Sequence, residues 1–241
     1  MGPIMTGLIP FSSVNCTLLD ELVASPSSTR KTGEQQVRIF VKQLLNALKC
    51  MHDKKIAHLD LRPEVILLQD DHLRLADFGR SRPLTKGKVT TDITGSPEFL
   101  SPEIASGASA TLASDLWSVG TLVYILLSGI SPFLGDNDNQ TLRKVILGKY
   151  LLDCDEFSKV SSEAKDFISR LLILNPKGRL TVDEALMHPW ISDDQLSEAK
   201  LTSECLREFK YRHKWHERRV FVQQTPSELT LNAAQVRNLC L

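Results

Sequence analysis

A mainly helical fold with a small β-hairpin is what this sequence predicts, and three observations predict it. Val37, Phe40, Val41, Leu44, Leu45 and Leu48 recur at the spacing of one helix face. The run Leu116 to Leu127 is apolar nearly all round, as a helix buried in the middle of a domain would be. Two short apolar runs, Val65 to Leu68 and Leu73 to Ala76, flank Gln69-Asp70-Asp71-His72 and read as a tight hairpin. The 241 residues are 42% hydrophobic and 24% charged, enough apolar content for a real core over one large domain.

The elements follow in order. Residues 1–33 are rich in Ser, Thr, Pro and Gly, with Leu18-Leu19-Asp20-Glu21-Leu22 as the compact apolar patch, a short helix. Thr32 and Gln35, three residues apart, have the spacing of a capping box and are expected to open the first long helix. Residues 80–112 are polar and read as a long loop, the kind that usually carries function. The buried helix is placed at Asp115 to Ser128 and an amphipathic one at Glu163 to Leu174. Thr181 with Glu184 forms another capping box, and Pro189 is expected to end that helix. The chain divides accordingly into 1–33, 34–192 and a C-terminal extension, 193–241.

Composition excludes several classes. Lys plus Arg (29) equals Asp plus Glu (29), which argues against a nucleic-acid partner. Five scattered cysteines without a Cys-x-x-Cys pair argue against a disulfide framework or structural zinc, and for a reducing, cytoplasmic setting. The start has neither a basic region nor a sustained apolar one, so no signal peptide is expected. The apolar run of helix 115–128 is shorter than the ~20 residues a bilayer demands, so no membrane partner is expected.

The chemistry-bearing stretch is His58-Leu59-Asp60-Leu61-Arg62-Pro63-Glu64-Val65, followed by Asp77-Phe78-Gly79. Phosphoryl transfer needs a carboxylate to orient the attacking hydroxyl, a cation beside the γ-phosphate and a carboxylate to hold Mg²⁺. Asp60 before the hairpin and Asp77 after it are expected to converge on one spot. Further on stand Ser101-Pro102-Glu103, Asp115-Leu116-Trp117-Ser118-Val119-Gly120, Asn175-Pro176-Lys177-Gly178-Arg179 and His188-Pro189-Trp190.

In this order the motifs resemble the C-terminal lobe of eukaryotic protein kinases. His-Leu-Asp-Leu at 58–61 and Gly129-Ile130-Ser131-Pro132-Phe133-Leu134-Gly135 are similar to the calmodulin-dependent-kinase group: the myosin light-chain, death-associated and giant muscle (titin, obscurin) kinases. The resemblance implies a serine/threonine kinase lobe using ATP and Mg²⁺ on a protein substrate. It gives Asp60 and Arg62 catalytic roles, Asp77 the metal, and Asp77, Phe78 and Gly79 the nucleotide side. It gives His58, Glu103, Asp115 and Arg179 structural roles, with Asp115 supporting the catalytic-loop backbone and Arg179 paired to Glu103. It extends the address to a cytoskeletal or sarcomeric one. Because Leu59 replaces the family's Arg, control by phosphorylation at Thr90, Thr91 or Thr94 is not implied.

Two departures set the expectation for activity. No Gly-x-Gly-x-x-Gly stands in the sequence, and the first lysine is Lys31. The β-rich nucleotide lobe is therefore expected to be missing, residues 1–33 being a hinge remnant, and ATP and Mg²⁺ are expected only where that lobe is supplied. Val65 stands where the family has its Mg²⁺-binding Asn and offers no oxygen donor. A weak or inactive enzyme is the expectation; the rival is a pseudokinase that binds protein partners, inside a large cytoskeletal or muscle protein. Residues 206–219 hold six Lys or Arg against two Glu with Phe209, Tyr211 and Trp215 interleaved, resembling autoinhibitory or calmodulin-binding segments.

Overall fold

The structure is a computed structural model and describes residues 16–20, 33–69, 72–84, 89, 96–193, 206, 209 and 210. Thr32, Thr90, Thr91, Thr94 and the tail anchors Tyr211 and Trp215 lie outside the described residues.

Helix α1 (Glu34–His52) buries the predicted face, Val37 to Leu48, with Met51 extending it. Its acidic Glu34 and basic Lys49 and His52 sit at the ends where the helix dipole favours each charge. The N-cap is Gly33 rather than Thr32, and no side chain caps that turn. Glu34 is instead drawn inward: it accepts hydrogen bonds from the Ser161 amide at 2.9 Å and the Trp190 indole at 2.9 Å. A long-range role for Glu34 thus replaces the local capping box.

The hairpin forms as expected, its first strand one residue later and its second one residue earlier than read: β3 (Ile66–Gln69) pairs antiparallel with β4 (His72–Leu75), Ile66 opposite Leu75 and Gln69 opposite His72. A strand that periodicity could not reveal adds to its edge. In β1 (Cys16–Thr17), Thr17 pairs with Leu67, and Thr17 and Asp20 then cap the turn that follows by exchanging side-chain and backbone hydrogen bonds. Beside this three-stranded sheet, a two-stranded ribbon joins β2 (Ile56–Ala57) to β5 (Arg82–Pro83). The sheet and the ribbon hold either side of the 58–65 loop.

The predicted long loop contains structure: a 3₁₀ turn at Pro97–Phe99 and the one-turn helix α2 (Pro102–Ala105), each started by proline in the first turn. Helix α3 (Leu112–Ser128) begins three residues before the predicted Asp115, because Ser114 Oγ accepts the Thr111 amide and caps an earlier turn. It stops at Gly129, whose φ of 77° suits glycine. Its burial is almost complete, and it packs against α1 and α5 (Ser162–Leu171). Gly120 permits the close approach: a Cβ there would lie 2.8–2.9 Å from Leu172 and Leu171. Helix α4 (Asp138–Leu147) is capped by Asn137. Helix α6 (Val182–Met187) carries the predicted Thr181–Glu184 capping box. Pro189 both ends it and starts α7 (Pro189–Ser192), whose cap is His188.

One apolar core runs through α1, α3, α5 and the hairpin, and Leu206 and Phe209 are part of it. Lys210 bonds Asp20 at 2.7 Å. Among the described residues, no helix is long and apolar enough to cross a membrane.

Candidate active site

Asp115 explains the shape of the loop that bears Asp60. Buried at the start of α3, its Oδ2 accepts the His58 amide at 2.8 Å and its Oδ1 the Leu59 amide at 2.8 Å, while the His52 Nε2 lies 2.8 Å away. These bonds hold Leu59 in the left-handed region, φ 65°, a conformation a leucine does not adopt unaided. His58 is fully buried; its Nε2 is 3.1 Å from the Ala76 carbonyl and its ring packs on Phe78 with centroids 5.4 Å apart. Burial pushes its pKa down, although the nearby carboxylates of Asp115, Asp60 and Asp77 oppose the shift. His58 thus ties the loop at 58–65 to the chain that leads into Asp77.

Asp77 follows the hairpin with φ 57° and ψ 69°, and its side chain accepts the Gly79 amide at 3.4 Å. The expected convergence is achieved through Arg62. Its guanidinium lies 3.5 Å from Asp60 Oδ2, 3.5 Å from Glu64 Oε2 and 3.5 Å from Asp77 Oδ2. Three carboxylates therefore share one cation. Glu64, inside the motif, is the member that reasoning from the sequence passed over. Beside Asp60 a small cleft is lined by Leu59, Arg62, Ser96, Phe99 and Ser101.

Val65 turns its side chain into the core, 2% exposed, and its carbonyl accepts the Ala76 amide at 2.9 Å. Magnesium demands near-octahedral oxygen coordination. Here Val65 supplies no side-chain oxygen, Asp77 faces a guanidinium, and among the described residues no group of three or more His, Cys, Asp or Glu is placed to hold a metal. The donors that the resemblance implies for a divalent metal are thereby reduced to Asp77, which Arg62 already faces.

Glu103 and Arg179 meet as the sequence predicts. Arg179 Nη2 lies 2.7 Å from Oε2 and Nη1 2.8 Å from Oε1, a bidentate pair. Arg179 also donates to the carbonyls of Ala113, Ile173 and Leu174, and sits 5.0 Å above the Trp117 ring. Burial alone would raise the Glu103 carboxyl, but Arg179 and the Ser114 hydroxyl hold it below its ordinary pKa. Ser114 and His52 are positioning partners without a sequence signal of their own, since each meets its carboxylate only in the folded chain.

The family model of the protein kinase domain matches residues 8–191. The chain belongs to the protein kinase domain family. Like this kinase chain are the Muscle M-line assembly protein unc-89 of Caenorhabditis elegans, 54% identical over 234 residues, and the mouse death-associated protein kinase 2, 42% identical over 177. The matches cover 94% and 71% of this kinase chain, but only 3% and 48% of those proteins. Among solved structures, titin kinase with its flanking domains superposes with TM-score 0.76 at 32% identity, covering 82% of this chain and 36% of that one. A twitchin kinase fragment from Caenorhabditis elegans, described as an autoregulated protein kinase, superposes at 0.78 and 33%, covering 94% and 49%. These relatives are the giant muscle and death-associated kinases that the 58–61 and 129–135 motifs resemble.

Proposed function

We propose that this chain is the substrate-facing part of a serine/threonine protein kinase in which phosphoryl transfer is weak or lost, and that it works chiefly by binding protein partners in a large muscle protein. The observation that carries the reading is Val65, buried in the core where the resembled catalytic loop has a metal-binding Asn. The absence of a Gly-x-Gly-x-x-Gly from the sequence supports the further reading that the chain itself carries only the helical lobe. The muscle setting is suggested by the M-line assembly protein and the titin and twitchin kinases to which the chain is similar.

The tail belongs to this proposal. Leu206 and Phe209 are buried three residues apart, and Lys210 reaches Asp20, so the start of the basic segment rests on residues just after β1. That contact favours an autoinhibitory role over a calmodulin-binding one for this part of the tail.

A second reading, an active enzyme, is favoured by the intact bonding of Asp115 under the Asp60 loop. In it Asp60 accepts the proton of the Ser or Thr hydroxyl. Transfer of labelled γ-phosphate from ATP to a basic protein substrate decides between the two readings. The first expects equal background transfer by the chain and by Asp60→Asn. A loss of about a hundredfold or more in Asp60→Asn establishes the second, on the 10²–10⁴ scale typical of a positioned proton acceptor.

A further inference from the structure

Asp60, Glu64 and Asp77 are three carboxylates gathered about one side chain, and ordinarily such a cluster repels itself. Here each lies 3.5 Å from a different nitrogen of the same guanidinium. Arg62 is aimed there by its backbone: it precedes Pro63, which bars the helical region, and it is extended at φ −152° and ψ 163°. The preceding Leu61 is buried in the core. Asp77 is turned toward the same point by its left-handed backbone. The Arg62 side chain, 25% exposed, lies between Asp60 and Glu64, at 14% and 19%, and the more open Asp77, at 51%.

We infer that the Arg62 guanidinium is the resident cation of this site, holding Asp60, Glu64 and Asp77 together in place of a divalent metal. The inference rests on the proposed reading of Asp60 and Asp77 as the catalytic-loop and metal-loop carboxylates, and it assigns that site a charge lock. A compact ammonium at position 62 could move aside and leave Asp77 to a metal. The planar fork offers donors in three directions at once and spans all three carboxylates. A divalent ion approaching Asp77 meets a fixed positive charge and, at Val65, no compensating oxygen.

Manganese is the probe, because bound Mn²⁺ reports itself by water-proton relaxation without any need for catalysis. The full chain is expected to leave Mn²⁺ essentially free at millimolar concentration. Arg62→Gln, shown folded by circular dichroism, is expected to bind Mn²⁺ at least about tenfold more tightly, the scale on which second-sphere groups act. Asp77→Asn added to Arg62→Gln should erase the gain. Equal Mn²⁺ affinity in the parent and in folded Arg62→Gln overturns the inference, and so does a gain that survives Asp77→Asn. If Arg62→Gln does not fold, Arg62→Lys carries the same test: it keeps the charge and loses the fork, and an affinity equal to the parent's overturns the lock. Asp60-dependent phosphate transfer would defeat the proposed function, whereas Mn²⁺ binding indifferent to Arg62 defeats this inference alone.

Discussion

Two arginines organise this molecule, and they do so differently. Arg179 is completely buried, bidentate to Glu103 at 2.7 and 2.8 Å, and every direction of its fork is used on that carboxylate or a main-chain carbonyl. Arg62 is partly exposed and stands 3.5 Å from each of three carboxylates, beyond the 2.7–2.9 Å of a strong charge-assisted bond. The first arrangement is a fastener joining α2, α3 and the segment before α6. The second is a balance of charges that a change in one partner can tip. Burial and bond length, rather than the presence of an ion pair, separate a structural arginine from a responsive one.

Four experiments would break or sharpen that contrast. Arg179→Ala has the largest expected effect, a loss of about 3–5 kcal/mol in a urea titration, because it strands the buried Glu103 charge. A loss below about 1 kcal/mol, the scale of an exposed pair, would erase the distinction. Asp115→Ala should cost about 3 kcal/mol by leaving the buried amides of His58 and Leu59 without an acceptor, at about 1–3 kcal/mol for each such group. Wild-type stability there would mean that the 58–65 loop holds its shape without Asp115.

Acid should act in two stages. His58 titrates lower in the folded chain than its ordinary 6.5, so the unfolded state takes up its proton first and stability falls as pH drops below about that value. Glu103 also has a depressed folded pKa, so its contribution is present above its ordinary 4.5 and is lost as pH falls through the folded value. Thermal melts of the parent and His58→Gln across this range should converge only if His58 causes the first stage; parallel curves contradict it. The smallest effect belongs to Arg62→Gln, under about 1 kcal/mol in stability as for other solvent-screened pairs. A loss matching that of Arg179→Ala would make Arg62 a second fastener and remove the contrast.

Much of the fold was legible. The α1 face, the hairpin and the Thr181–Glu184 box depend on residues within a few positions of one another, where periodicity and capping chemistry act. The pairing of Glu103 with Arg179 was legible through motif resemblance, not through any local rule. The reading failed at Thr32, where Gly33 is the cap, and at β1, where two residues form a strand only because Leu67 and Leu68 lie alongside. In the tail, the interleaved basic and aromatic residues did not single out Leu206, which is buried with Phe209.

By itself the sequence determined the mainly helical class and the order of the kinase motifs, and it put at position 65 a side chain without an oxygen. Only the tertiary structure decided that Glu34 fastens Ser161 and Trp190, that Leu206 and Phe209 enter the core, and that Arg62 stands among Asp60, Glu64 and Asp77. The physical reason is range. Helical periodicity and capping are set by neighbours along the chain, whereas the partner of a buried charge is whichever group the packing of distant elements brings within a few ångströms.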